Sequence, residues 1–161
     1  MKQHVVLKVS RAQLYNAMLD VALASIKTDA QMKLDRAHLP DGFTYQRKVI
    51  VNEKKKRSVP VTVTINHRQD EYFCTTYDSV AETSYIAYTL TPYEDNLTGV
   101  DVEQKHKSKK FLVKLINGVR LLFDFGSRRQ AVEIGLLELE DMILNKKQDL
   151  KTVKKHKKNK S

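Results

Sequence analysis

The chain has 161 residues, 41% of them hydrophobic and 30% charged, with five glycines and three prolines. That is enough chain for one core, too apolar for disorder, and too poor in glycine and proline for collagen-like or low-complexity sequence. The single cysteine, Cys74, excludes an internal disulfide, and the net charge of +10 is localised: residues 146–161 hold eight lysines and one aspartate, leaving the first 145 residues close to balance.

The opening Met1 to His4 leads into only a short apolar run, so no secretory signal is expected and a soluble, cytoplasmic protein is. Val5, Leu7 and Val9 alternate with polar neighbours and predict a strand over 4–9. Ser10 with Gln13 three positions on is a capping-box pattern that opens a helix over 11–27. Along it Leu14, Met18, Val21 and Ser25 recur at helical spacing, flanked by Tyr15, Leu19, Ala22 and Ile26. Asp35 is placed to cap a short turn through Leu39, and Pro40-Asp41-Gly42 ends the segment.

Strand-like alternation then dominates. Phe43, Tyr45, Val49 and Val51 alternate, interrupted by Arg47, and the polar run Asn52 to Ser58 predicts a hairpin connection. Val59, Val61, Val63 and Ile65 follow, with Pro60 near the strand's start, where a missing donor costs least. Further strands are expected over 71–78, 83–91 and 98–106, giving an antiparallel meander.

From Ser108 to about Asn145 the apolar positions keep a 3–4 spacing that includes Phe111, Leu115, Gly118, Leu122, Phe125, Val132, Leu136, Leu139 and Ile143. One long helix is predicted, kinked at Gly118 or Gly126. Its most apolar window, Phe111 to Gly126, contains Lys114, Arg120 and Asp124 and is too short to span a bilayer. Residues 1–145 thus read as one domain, and 146–161 as a lysine-rich disordered tail. The tail offers weak, non-specific contact with nucleic acid or an anionic surface, or serves only to keep the chain in solution.

Strand, helix, turn, five antiparallel strands and a long C-terminal helix is an α+β order in which a curved sheet wraps the last helix. In the segments HVVLKVSRAQLYNAMLD, DGFTYQRKV and FLVKLINGVRLLFDFGSRRQAVEIGLLELEDMI, the chain resembles the helix-grip, START-like superfamily (SRPBCC, polyketide-cyclase-like). Within it, the chain is most similar to a bacterial domain-of-unknown-function family of small cytoplasmic proteins. The resemblance implies a cavity between sheet and C-terminal helix that takes a small apolar or amphipathic ligand. It implies no common reaction.

No catalytic constellation emerges from the residues. The five histidines have no metal-ligand spacing, Cys74 has no recognisable partner, and Asp124-Phe125-Gly126 stands without the other kinase motifs. Neither a cofactor nor an enzymatic activity is expected. Glu133, Glu138, Glu140 and Asp141 read as a solvated helix face. The tyrosines 45, 72, 77, 85 and 88 fit either a ligand cavity or core and outer-face packing. The expected ligand-binding residues are Phe43, Tyr45, Val61, Val63, Ile86, Tyr88, Leu115, Val119 and Leu122. Arg129, the one charge on the apolar stripe, either orients an anionic head group or snorkels at the domain edge. Arg47 is either a partner to that site or a surface residue.

Overall fold

The computed structural model describes residues 1–52, 57–109 and 128–158, the side chains at 51, 52, 57, 95, 128, 129 and 147–158 excepted. In chain order the elements are β1 (Lys2–Leu7), α1 (Arg11–Asp29), a 3-10 turn (Arg36–His38), β2 (Phe43–Asn52), β3 (Arg57–Arg68) and β4 (Tyr72–Asp78). Then come β5 (Glu82–Pro92), a second 3-10 turn (Glu94–Asn96), β6 (Thr98–Ser108) and α2 (Arg128–Lys158). The strands form one antiparallel sheet in the order β1-β6-β5-β4-β3-β2. Five strands meander by nearest-neighbour pairing, and β1 closes on the last of them. This is the curved sheet with a helix after the first strand and a C-terminal helix that the sequence predicts, a helix-grip fold.

Local chemistry sets the boundaries. At the start of α1 the Gln13 amide donates to Ser10 Oγ at 3.4 Å and the Ser10 amide to Gln13 Oε1 at 3.3 Å, so both halves of the capping box form. Asp35 Oδ1 accepts from the His38 amide at 3.0 Å and shapes the 3-10 turn. Gly42 has φ 77°, which lets the chain turn sharply into β2. Pro60 pairs with Lys48 of β2, whereas β4 reaches β3 only from Thr62 onward; the proline thus lies where β3 has a neighbour on one side.

Strand alternation divides the sheet into two faces. Leu7, Tyr45, Val61, Val63, Ile65, Phe73, Leu90, Val100 and Val102 are buried on the inner face with α1 residues Leu14, Tyr15, Met18, Ala22 and Ile26. The Tyr15 hydroxyl lies 2.7 Å from His67 Nδ1, and His67 Nε2 lies 3.0 Å from the Leu39 carbonyl oxygen. A carbonyl only accepts, so Nε2 carries a proton. One imidazole thereby ties α1, the loop before β2 and β3 together.

Several expectations are corrected. The first strand begins two residues early, at Lys2. On α1 the buried stripe is Leu14, Met18, Ala22 and Ile26, an i, i+4 row, and Val21 is exposed. β6 runs through Ser108, because Lys107 and Ser108 still pair with Thr83 and Glu82; the helix expected from Ser108 does not start there. The kink expected at Gly118 or Gly126 lies outside the described residues. Residues 146–158 continue α2 to Lys158. They contain neither glycine nor proline, lysine is a good helix former, and cations at a helix C-terminus complement its dipole. Among the described residues no helix is long and apolar enough to cross a membrane.

Candidate functional site

The strand registers build the inner face row by row. One row across the sheet reads Tyr45, Val63, Tyr77, Ser84 and His106; the next reads Phe43, Ile65, Thr75, Ile86 and Gln104. α2 lies over this face with Val132, Leu136, Leu139 and Ile143 turned inward, the 3–4 stripe predicted for the helix's second half. The acidic face of α2 is largely exposed, as expected, and two of its carboxylates also reach β1 and the residue after it. Glu133 Oε2 accepts from Gln3 Nε2 at 3.3 Å, and Glu140 Oε1 accepts from the Lys8 amide.

Between the sheet, α1 and α2 lies a cleft of about 730 Å³. Its floor is Arg47, Val49, Val61, Phe73, Thr75, Tyr77, Ser84, Ile86, Tyr88 and Gln104; α1 contributes Met18 and Val21, and α2 contributes Val132, Gly135, Leu136, Leu139 and Met142. The size suits a small organic molecule, and the wall is mostly apolar with a few polar groups among the hydrocarbon. Gly135 is the unusual element. It sits inside α2, and among the described residues a Cβ there would meet nothing within 4 Å beyond its two chain neighbours and its own helix backbone.

Of the expected ligand-binding residues, Val61, Ile86 and Tyr88 line the cleft. Phe43, Tyr45 and Val63 share the same sheet face but pack beside the cleft, and the Phe43 and Tyr45 rings lie with centroids 6.3 Å apart. Leu115, Val119 and Leu122 lie outside the described residues. Arg129 falls in the first turn of α2, its side chain likewise outside the description. The tyrosines divide: 45, 77 and 88 face inward, whereas 72 and 85 are on the outer face with Cys74. Sequence reasoning missed Thr75, Ser84, Gln104 and Gly135. The available signal for Gln104 was its phase with Val100 and Val102 on β6.

The electrostatics are sparse. At the rim, Arg47 Nε lies 3.6 Å from Asp29 Oδ2, so the guanidinium is already engaged. His106 Nε2 lies 3.3 Å from Glu82 Oε2, where β5 begins and β6 ends. Burial, with Tyr77 and Cys74 adding, pushes the Tyr88 phenol up to about 12. Burial also raises Tyr77, against the pull of Arg47, and Tyr45. At neutral pH the inward tyrosines therefore present neutral hydroxyls. Among the described residues no group of three His, Cys, Asp or Glu side chains is placed to hold a metal ion.

The Tyr88 shift predicts an alkaline stability loss. An unfolded tyrosine gives up its proton near pH 10, while folded Tyr88 keeps it to about 12. Between those values the folded state binds more protons, so stability falls as pH rises. Urea unfolding from pH 9 to 11.5 should show this slope, and Tyr88→Phe should make it shallower. An unchanged slope would place the phenol in solvent.

The fold has relatives among solved structures. A conserved protein from Geobacillus kaustophilus superposes with a TM-score of 0.54 at 12% identity, over 89% of this chain and 94% of that one. The Mll3558 protein from Rhizobium loti gives 0.54 at 14% identity, over 89% and 94%. Norcoclaurine synthase from Thalictrum flavum gives 0.56 at 7% identity, over 89% and 85%. At such identities the likeness is one of fold. No curated protein matches the sequence. A family model described as "Domain of unknown function (DUF3284)" matches residues 1–123.

Proposed function

The chain belongs to that domain-of-unknown-function family, DUF3284, and from this premise we propose that it is a START-like binding module that holds a small apolar or amphipathic ligand between the sheet and α2. The observation that carries the reading is the cleft of about 730 Å³, walled by aliphatic and aromatic side chains. A concave, largely apolar surface of that size keeps hydrocarbon facing water, a cost that a domain meant only to be a rigid scaffold has no reason to carry. The gap above Gly135 points the same way. A glycine inside a helix costs about 1 kcal/mol relative to alanine, and no close packing of the described residues demands it here.

The module acts by binding rather than by catalysis. Its wall is mostly hydrocarbon; of the charged residues along it, Arg47 pairs with Asp29, Lys105 pairs with Glu103, and Glu138 is exposed on α2. The fold does not decide this, since the norcoclaurine synthase shares it. The lone Cys74 fits a cytoplasmic, reducing setting.

Native mass spectrometry of gently purified full-length protein tests the reading. A mass excess that disappears on denaturation is the expected result, and its value gives the ligand class. A clean mass, together with no uptake of the neutral dye N-phenyl-1-naphthylamine, would overturn the reading. It would favour instead an interaction protein acting through the lysine-rich end of α2.

A further inference from the structure

In the row Phe43, Ile65, Thr75, Ile86 and Gln104, three members are hydrocarbon, one is a threonine and the last carries a primary amide. The backbone of Gln104 is accounted for. Its amide donates to the Met1 carbonyl at 2.8 Å, and its carbonyl accepts from the N-terminal ammonium at 2.6 Å. The side chain is not. Gln104 is 4% exposed and lines the cleft, and among the described residues neither Oε1 nor Nε2 has a hydrogen-bond partner. Gln3, on the neighbouring strand, differs: it does not line the cleft, and its Nε2 is engaged by Glu133.

A buried amide unpaired at both its donor and its acceptor is a standing penalty that leucine or methionine would not carry. A ligand that supplies both partners removes the penalty only while bound. Resting on the cleft being a ligand site, we infer that Gln104 is its specificity determinant and that the ligand carries a neutral group with a donor beside an acceptor. A primary amide, a lactam or a protonated carboxylic acid has that pattern. A carboxylate does not, because it only accepts and would leave Oε1 unpaired.

The test uses full-length protein and three probes that share one ring system, each displacing N-phenyl-1-naphthylamine. Naphthalene-2-carboxamide has donor and acceptor, methyl 2-naphthoate has an acceptor only, and 2-ethylnaphthalene has neither. Wild type is expected to prefer the carboxamide over both others by about tenfold or more, the ratio one well-formed buried hydrogen bond confers. Gln104→Leu is expected to bring the three within about threefold of one another, chiefly by weakening the carboxamide. Gln104→Met serves if the leucine variant fails to fold. Dye binding with no carboxamide preference in wild type, or a preference that survives in Gln104→Leu, overturns the role of Gln104 and leaves the cleft reading standing. Failure of the dye and all three probes to bind wild type overturns both.

Discussion

Gly135→Phe is expected to close the cleft and lower the affinity for N-phenyl-1-naphthylamine at least about tenfold, the cost of displacing a few buried methylene equivalents. Gly135 lies on α2 and lines the cleft, and among the described residues a Cβ there would meet nothing within 4 Å beyond its two chain neighbours and its own helix backbone. A side chain added there meets open space, and phenylalanine is large enough to occupy the volume a ligand would need. The fold should survive, because leaving glycine inside a helix removes a penalty of a few tenths to about 1 kcal/mol. Gly135→Ala separates the two effects. It should raise unfolding stability by about 1 kcal/mol while narrowing the cleft by one methyl group and weakening the dye far less than phenylalanine does. Dye titration and thermal unfolding of the three proteins provide the check. Undiminished dye binding by a folded Gly135→Phe would mean that ligands do not enter between the sheet and α2.

The fold was legible because its signals are local. Alternation at Phe43 to Val51 and Val59 to Ile65 reports a sheet with one buried face. The Ser10 to Gln13 spacing reports a helix start through hydrogen bonds that close within four residues. Where the sequence misled, a longer-range effect intervened. Ser108 looks like the beginning of a helix, but with Lys107 it is held in β6 by pairing with β5, a contact between segments more than twenty residues apart. Helix propensity and the lack of breakers carry α2 through 146–158.

The site was legible in part, and for a specific reason. Periodicity places Val61, Ile86 and Tyr88 on the inner face, but it does not say which inner residues touch one another and which leave a gap. Val63 sits one position along the same face from Val61, and it is packed against neighbours while Val61 borders the cleft. That distinction depends on how α1 and α2 seat on the sheet. Gln104 escaped attention because glutamine is ordinarily a surface residue. Its meaning appears only when its burial and its missing partners are both known.

Leu14→Ala is expected to cost about 2–5 kcal/mol of unfolding free energy, the range for a leucine deleted from a close-packed interior. Leu14 is fully buried on α1, in one cluster with Leu7, Ile26 and Val100, each also inaccessible to solvent. Removing three carbons there loses their transfer free energy and leaves a hole that surrounding side chains can fill only partly. Ile86→Ala is the informative comparison. Ile86 also packs against the core, but it borders the cleft and is only partly buried. Its deletion enlarges an existing space instead of opening a new one, so the cavity contribution is small and a loss nearer 1 kcal/mol is expected. Against a total stability of about 5–15 kcal/mol, both losses are measurable by urea denaturation of ligand-free protein with unchanged m-values. The ratio is the diagnostic quantity. Equal losses would mean that Ile86 sits in a core as tightly packed as that around Leu14, and the space between sheet and α2 would then be no cleft in solution.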